Sequence, residues 1–329
     1  MREVNRTRLA AEDAAAVTYD QGGYRHEALF YAGLDGFMAA TVPFIRSAAD
    51  ADEPVLVVVG KAKLAALREE LGRDCDPCLQ LADMAEVGAN PARIIPVWQE
   101  FVDRNATAER RIWGVGEPVW AGRTEEELVE CRRHEQLLNL VFVDPRFSLL
   151  CPYDTDTLTP EVIEDAHRTH PYVREAGGSA QSGSYPGVEA LAEPFDAPLP
   201  QPPLGTPELA FSDSEQLRDV RAFIAGHATG AGLEQPRTSD LLLAANEVAT
   251  NSLLHGSGSG VVAIWESDGT VICEVRDGGH IADPLVGRRR PLATARCGRG
   301  LWLVNQVCDL VQVRSAPEGN VVRLHMRAA

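Results

Sequence analysis

The sequence predicts two domains that both combine helices with strands, an α/β domain followed by an α+β domain. Between residues 24 and 173, short apolar runs alternate with stretches of helical periodicity, which is typical of a parallel sheet covered by helices. Residues 176–208 are rich in Gly, Ser and Pro, as linkers are. After the linker, two helical stretches precede paired strand-like segments, which favours an antiparallel sheet with its helices on one face.

In the first domain, the apolar runs predict five strands and the periodic stretches predict four helices. The run Val55–Val59 is entirely apolar, so we expect a fully buried central strand there. The predicted strands are residues 28–31, 54–59, 78–81, 111–115 and 140–143. The predicted helices are residues 36–49, 61–71, 91–105 and 124–138.

The second domain is predicted to contain three helices and four strands. The helices are expected at residues 214–228, 237–255 and 300–308, and the strands at 260–266, 270–276, 310–315 and 320–326. We therefore divide the chain into an N-terminal arm (1–20), a first domain (21–175), a linker (176–208) and a second domain (209–329). Neither the Gly/Ser run nor the Pro run of the linker suits a packed element.

Composition and charge narrow the class of protein. The formal net charge of −17 repels a phosphate backbone, so direct nucleic-acid binding is not expected, whereas a basic protein partner would be attracted. No apolar run is long enough to span a membrane, and residues 1–20 lack the apolar core of a signal peptide. Seven scattered cysteines are typical of a reducing compartment, so we expect a cytoplasmic protein without membrane association.

The predicted helix 237–255 carries the first motif that suggests chemistry. Glu247 and Asn251 are four residues apart and therefore share a helical face, which His255 continues. A carboxylate and an amide oxygen on one face can hold Mg²⁺ and position a hydroxyl group near phosphates. Taken alone, the same spacing is also typical of a solvated polar stripe.

Two glycine-containing motifs follow. Asp277 directly follows a predicted strand and precedes Gly278 and Gly279; a carboxylate there can accept a hydrogen bond from an exocyclic amine, and the glycines allow close approach of a ring. A second glycine pair directly precedes the helix 300–308, where backbone N–H groups and the helix dipole favour phosphate. That second motif consists of Gly298, Arg299, Gly300 and Leu301. Each motif alone is also compatible with an ordinary turn.

The order and spacing of the three motifs resemble the N, G1 and G2 boxes of the GHKL ATPase superfamily, whose fold is the Bergerat α+β sandwich. The segment 244–251, AANEVATN, resembles its anti-sigma-factor serine kinase branch in particular. The resemblance implies ATP and Mg²⁺ as cofactors, with Glu247 activating the substrate hydroxyl, Asn251 binding the metal and Asp277 binding the adenine amine. It further implies that Gly279 and the residues of the second glycine motif border the nucleotide and its lid.

The same resemblance implies partners and an activity. The expected partners are a sigma factor, which the protein would sequester, and an anti-anti-sigma factor, whose Ser or Thr would accept phosphate. A homodimer is a further expectation from the family. Two functions stay open at this point: an ATP-dependent serine/threonine-protein kinase that regulates transcription, and a module that binds nucleotide and sequesters its partner without transferring phosphate. The lid, residues 282–298, is rich in Arg and is expected to be a solvated loop.

The first domain resembles the MEDS sensory domain, a relative of RecA-like α/β folds, so a small-molecule ligand is expected there. Its polar clusters fall where strands end, and in parallel sheets ligands bind beyond the carboxyl ends of the strands. The candidate ligand residues are His26, Glu117, Trp120, Arg123, Tyr153, Asp154 and His170. For each of them, helix capping or internal pairing is an equally good interpretation.

Two further motifs in the first domain are incomplete. Gly60-Lys61 lacks the rest of a phosphate-binding loop, so ATP is not expected in this domain. Cys75 and Cys78 form a lone Cys-x-x-Cys pair, which Cys151 and His170 could complete only through folding, so a zinc site is not expected.

Overall fold

A computed structural model describes residues 23–72, 78–107, 109–143, 145–175, 178–188, 197–291 and 298–328. The predicted arm, Cys75 and residues 292–297 of the lid lie outside these ranges. In the described parts of the chain the strands form two sheets, one of seven strands before residue 182 and one of five strands after residue 207. The fold class predicted from the sequence is confirmed.

The first sheet has the strand order β3-β2-β4-β5-β1-β6-β7. All neighbouring strands pair in parallel except β6 and β7, which are antiparallel. The all-apolar β2 is fully buried, as predicted. The strands are β1 (Arg25–Tyr31), β2 (Val55–Val59), β3 (Leu79–Asp83), β4 (Ile112–Gly116), β5 (Phe147–Asp154), β6 (Tyr172–Glu175) and β7 (Gly178–Gln181).

Helices cover both faces of this sheet, and an apolar core lies on each side. One core packs around Trp98 and Phe147, and the other around Phe37 and Ile45. The helices are α1 (Gly33–Asp50), α2 (Lys61–Leu71), α3 (Met84–Val87), a 3₁₀ turn (Pro91–Arg93), α4 (Ile94–Asn105), α5 (Glu125–Val141) and α6 (Pro160–Thr169).

The predicted strand at residues 140–143 is wrong, because α5 continues to Val141. Leu137, Leu138 and Val141 keep the three- to four-residue spacing of the helix, so the short apolar run belongs to its buried face. The strand that follows is β5, whose first seven residues are all buried. A four-residue apolar run does not distinguish a helix end from a strand.

The second domain is an antiparallel sheet with its helices on one face, in the strand order β11-β12-β10-β9-β8. Alternate residues of the strands, such as Val313, Val322 and Leu324, form its core with the helices. The strands are β8 (Glu208–Phe211), β9 (Gly260–Ser267), β10 (Thr270–Asp277), β11 (Leu310–Ala316) and β12 (Gly319–Arg327). The helices are α7 (Leu217–Gly230), α8 (Gln235–Leu254) and α9 (Arg299–Val307).

Parts of the predicted linker are packed. Gly178–Gln181 forms β7 against β6, so the first sheet extends beyond the predicted end of the domain. The carbonyl oxygen of Pro200 accepts a hydrogen bond of 2.7 Å from Arg323 Nη2 on β12. The sequence interpretation is therefore wrong for Gly178–Gln181, whereas Pro200 is exposed and lies in no helix or strand, as expected for the Pro run. Among the described helices, none is long and apolar enough to cross a membrane.

The two domains contact each other through α5 and the open face of the second sheet. Arg133 Nη1 on α5 donates to the carbonyl oxygen of Val313 on β11 at 2.7 Å. Asn90 Nδ2 and Arg93 Nε donate to the carbonyl oxygen of Asn305 on α9 at 3.1 and 2.9 Å. The first domain therefore contacts α9, the helix that follows the lid.

Candidate functional site

The face of α8 that carries the first motif points to the start of α9. A Cβ atom added to Gly300 would lie 3.0 Å from Glu247 Oε2 and 3.3 Å from Asn251 Nδ2. The two polar side chains therefore pack against the backbone of the second glycine motif. Glycine at residue 300 allows this close approach, since a side chain there would displace one of them.

Asp277 ends β10 and has both carboxylate oxygens oriented by hydrogen bonds. Oδ2 accepts from Ser252 Oγ at 2.7 Å, while Oδ1 accepts from Gly279 N at 2.7 Å and from Asn320 Nδ2 at 2.9 Å. A Cβ atom on Gly279 would lie 2.6 Å from the Cα atom of Gly256, so the turn requires glycine. Asp277 is thus held rigidly, and Oδ2, which accepts only one of these hydrogen bonds, keeps a lone pair for a further donor.

Helix α9 begins at Arg299, directly after Gly298, which adopts a left-handed backbone with φ of +87°. No side chain caps this helix start. Its first N–H groups have no partners within the helix, so the start of α9 is suited to an anion. Arg299 is exposed beside it.

A cavity of about 360 Å³ joins the motifs. Its lining includes five of the residues predicted from the sequence, namely Asn251, Asp277, Gly298, Gly300 and Leu301. The other three predicted residues lie at its edge: Glu247 against Gly300, Gly279 bonded to Asp277, and Arg299 next to Gly298. His255 also lines the cavity, as its position on the face of α8 suggests.

The sequence interpretation missed the polar network behind Asp277. Asn320 lies opposite Asp277 in the β10–β12 register, and its Oδ1 accepts a hydrogen bond of 2.8 Å from Ser315 Oγ. Ser315 Oγ in turn accepts from the N–H of Ile281 at 2.9 Å. Ser252 directly follows the predicted Asn251, but neighbouring residues of a helix point to different sides, so the spacing did not identify it. Asn320 requires knowledge of the strand pairing.

The base of the lid is not solvated, so that expectation is wrong for Arg288. This residue is 3% exposed and donates to Oε2 of Glu130 on α5, while Arg314 Nη1 donates to Oε1 at 2.8 Å. Arg133 Nη1 lies 3.8 Å from the same carboxylate. Burial alone would raise the pKa of Glu130, but the three guanidinium groups together hold it below its usual value. Arg289 and Arg290 are exposed, as expected.

The predicted ligand residues of the first domain lie in three separate locations. The first is the edge of the sheet formed by the carboxyl ends of the parallel strands. Glu117 directly follows β4, and its Oε1 accepts from Tyr31 Oη at 2.6 Å and from Lys63 Nζ. Burial raises the pKa of Glu117, and the Lys63 ammonium partly opposes that shift. Asp154 ends β5 and accepts from the N–H of Gly33 at 3.2 Å. Tyr31 and Lys63 were not predicted.

The second location is the contact between Trp120 and Arg123, where Arg123 pairs with the Trp120 ring and with backbone carbonyl groups. The guanidinium carbon of Arg123 lies 3.7 Å from the centroid of the Trp120 ring. Arg123 is buried and donates to the carbonyl oxygens of Pro118, Ala89 and Gly88 at 2.9, 3.0 and 2.6 Å. These contacts support the internal-pairing interpretation for Arg123.

The third location is a buried cluster in which His26 and His170 have ring centroids 4.1 Å apart. Tyr153 contacts His170 edge-on, with centroids 5.6 Å apart. Glu135 on α5 and Cys151 on β5 complete the cluster. Glu135 was not predicted as a site residue, and Cys151 was considered only as a possible partner of Cys75 and Cys78.

Comparisons with known proteins identify both domains. Residues 25–171 match the MEDS family, the methanogen/methylotroph DcmR sensory domain. Residues 211–326 match the histidine kinase-like ATPase domain. A search of curated proteins found no match.

Among solved structures, the RsbU and RsbW domains of a Mycobacterium tuberculosis protein match with 22% identity and a TM-score of 0.29. That match covers 37% of this chain and 32% of the other. A TM-score this low supports no conclusion about the fold or the function of this chain. The first match covers β1 to β5 of the first sheet and the second covers β9 to β12 of the second sheet, and the chain thus joins a MEDS sensory domain to a histidine kinase-like ATPase domain.

Proposed function

We propose that this protein is a cytoplasmic anti-sigma factor with ATP- and Mg²⁺-dependent serine/threonine kinase activity. In this proposal the ATPase domain sequesters a sigma factor and phosphorylates an anti-anti-sigma factor. The MEDS domain binds a small-molecule signal and controls that exchange. The net charge of −17 supports a basic protein partner rather than nucleic acid.

The observation that carries the proposal is the convergence of three sequence motifs on one cavity of about 360 Å³. Asp277 offers an oriented acceptor for an exocyclic amine, and the start of α9 offers N–H groups for phosphate. The close contacts at Gly279 and Gly300 leave backbone where side chains would otherwise fill the space. These residues fit ATP, with the adenine at Asp277 and the phosphates toward Gly298 and Gly300.

Glu247 and Asn251 divide the chemistry of transfer between them. Asn251 provides the amide oxygen for Mg²⁺, and Glu247 provides a carboxylate that can accept the proton of an incoming hydroxyl group. Both lie against Gly300, where the phosphates are placed. When bound, ATP would supply the phosphoryl group and Mg²⁺ would offset its negative charge.

The signal would reach the ATPase domain through α5. Glu130 on this helix holds Arg288 at the base of the lid and Arg314 on β11 in one buried cluster. Leu285, three residues before Arg288, packs into an apolar core of the MEDS domain. A shift of α5 on ligand binding would therefore move the base of the lid.

The kinase proposal is tested by phosphate transfer from labelled ATP to purified anti-anti-sigma factors of the same organism. We expect Glu247→Gln to slow transfer by about 10²–10⁴-fold, the usual contribution of a general base, while ATP affinity stays within about twofold. The matched control is Glu215→Gln, an exposed carboxylate just before α7. Transfer by Glu247→Gln at the wild-type rate would rule out the assigned base.

The same assay separates the kinase from a non-catalytic module. ATP binding without transfer to any tested switch protein would favour the module, in which nucleotide only shapes the sequestering surface. Capture of a sigma factor by the wild-type protein, compared with and without ATP, tests sequestration independently of transfer. Glu130→Gln weakens the contact between Arg288 and α5. If the sensory domain controls the ATPase domain through this contact, the variant should capture a different amount of sigma factor than the wild type.

A further inference from the structure

The cluster of His26, Glu135, Cys151 and His170 lies inside the MEDS domain, away from the ATP motifs. His26 is on β1, Cys151 on the adjacent strand β5, Glu135 on α5, and His170 follows the last residue of α6. All four side chains are buried, with exposed fractions of 1% or less. Four chain segments therefore bring two imidazoles, a thiol and a carboxylate to one point in the protein interior.

The distances between the donor atoms suit a single small ion. His26 Nε2 lies 3.0 Å and His170 Nε2 3.4 Å from Glu135 Oε2, and Cys151 Sγ lies 3.4 Å from His26 Nε2 and 3.5 Å from Glu135 Oε2. All four donor atoms lie within 4.8 Å of one another. Ligands at bonds of 2.0–2.3 Å in a tetrahedral site are roughly 3.3–3.8 Å apart, which matches most of these separations.

The hydrogen bonds around the cluster leave both imidazoles with a lone pair directed inward. Asn139 Nδ2 donates to the carbonyl oxygen of Thr169 at 2.9 Å, so its Oδ1 faces His26 and accepts from Nδ1 at 3.0 Å. His170 Nδ1 lies 2.9 Å from the carbonyl oxygen of Ala166, which can only accept. In the neutral form of each ring, Nδ1 then carries the proton and Nε2 a lone pair, and this is the arrangement that outer-shell hydrogen bonds give to metal-binding histidines.

Without a cation, this arrangement is unfavourable. Two imidazole lone pairs face one carboxylate, to which the Cys151 thiol donates only a long hydrogen bond of 3.5 Å, in a region without water access. His170 Nε2 and Glu135 Oε1 have no hydrogen-bond partner among the described residues. A divalent ion bound by Cys thiolate, Glu carboxylate and two neutral imidazoles would have no net charge, which is what a buried site requires.

We propose that His26, Glu135, Cys151 and His170 bind one transition-metal ion, and that Zn²⁺ is the ion the ligand set fits best. Mixed imidazole, thiolate and carboxylate ligands are typical of zinc. Because all four ligands come from the protein and are buried, the site is closed, and its role is to hold β1, β5, α5 and the end of α6 together. A cysteine nucleophile is the competing assignment, but Cys151 is 1% exposed and no substrate can reach it.

The site has a consequence for the domain interface. Glu135 lies on α5 five residues after Glu130, the carboxylate that binds the base of the lid. An ion bound to Glu135 therefore fixes the helix that contacts the ATPase domain.

The test is the metal content of the full-length protein, purified under reducing conditions, loaded with Zn²⁺ and desalted. We expect about one equivalent of zinc per chain in the wild type, and at least a tenfold loss in Cys151→Ser and in His170→Gln. The matched control is Cys131→Ser, a buried cysteine of the same domain that bonds to the carbonyl oxygen of Pro118, and it should keep the full content.

Loading with Co²⁺ adds a spectrum of the wild type itself, which does not depend on whether a variant folds. The wild type should show the visible bands of tetrahedral Co²⁺ and a near-ultraviolet sulfur-to-cobalt band, and the sulfur band should be absent in Cys151→Ser. Zinc should also raise the melting temperature of the wild type, and a chelator should reverse that rise. Less than about a tenth of an equivalent of metal in the loaded wild type would overturn the proposal and assign a proton to the cluster.

Discussion

Replacing Glu130 with Gln tests the contact between the sensory domain and the lid. The carboxylate accepts from Arg288 and Arg314 and lies 3.8 Å from Arg133, and all four side chains are 4% exposed or less. Gln keeps the shape of the side chain but removes the negative charge that faces the three guanidinium groups. Breaking one partner of a buried ion pair costs about 3–5 kcal/mol, because the remaining charge stays buried.

We therefore expect Glu130→Gln to destabilise the protein by about 3–5 kcal/mol, with the effect concentrated at the domain interface. Denaturant unfolding measures the loss, and hydrogen exchange of residues 285–288 locates it, since the base of the lid should exchange faster. The control is Glu69→Gln on α2, which is exposed and should change the stability by less than about 0.5 kcal/mol. If the free energy of unfolding of Glu130→Gln is within about 1 kcal/mol of the wild-type value and the hydrogen exchange is unchanged, Glu130 does not hold the base of the lid.

Three smaller perturbations test the ATPase domain. Ser252→Ala removes the 2.7 Å hydrogen bond to Asp277 Oδ2, and ATP affinity measured by calorimetry should fall about fivefold, the effect of about 1 kcal/mol. Gly300→Ala places a Cβ atom 3.0 Å from Glu247 Oε2, so transfer should slow while the melting temperature changes little. Burial lowers the pKa of His325 from 6.5 to about 4. Between these two pH values the unfolded chain binds a proton that the folded protein does not, so the stability falls as the pH drops from 6.5 to about 4. The share of His325 in the slope, at most about 1.4 kcal/mol per pH unit, should be lost in His325→Gln, while His134, whose pKa burial also lowers, keeps contributing to the remainder. A slope in His325→Gln equal to that of the wild type would contradict the prediction.

Much of the fold could be predicted because each domain repeats a simple pattern. The buried run Val55–Val59 and the alternating faces of β10 and β12 are set by local periodicity, which a sequence displays directly. The end of α5 could not be predicted, because the apolar run 140–143 suits a helix end as well as a strand. Strand β7 could not be predicted either, because its sequence, GSAQ, has no apolar periodicity and forms only through pairing with β6.

More of the candidate ATP site than of the sensory domain could be identified from the sequence, because the motifs of the ATP site are short and local. Glu247 and Asn251 share a helix face, and Gly298 and Gly300 precede a helix, so spacing alone places them. The support for Asp277 from Asn320 depends on strand register, which the sequence does not display.

The same limit explains the result in the MEDS domain. His26 and His170 were predicted for their chemistry, but their meeting with Glu135 and Cys151 depends on which strands are neighbours. Arg288 is a further case, since only the packing of two domains makes a lid arginine a buried partner of Glu130.

The assignment of the cavity to ATP is tested by a calorimetric titration of the wild-type protein with Mg²⁺-ATP, repeated with Asp277→Asn. We expect saturable binding of one nucleotide per chain, and at least a tenfold weaker affinity in Asp277→Asn, because its amide presents an N–H group where the exocyclic amine needs an acceptor. The melting temperature of that variant without nucleotide shows whether the domain still folds. Absence of binding in the wild type, or equal affinity in a folded Asp277→Asn, would contradict the assignment of this cavity to ATP.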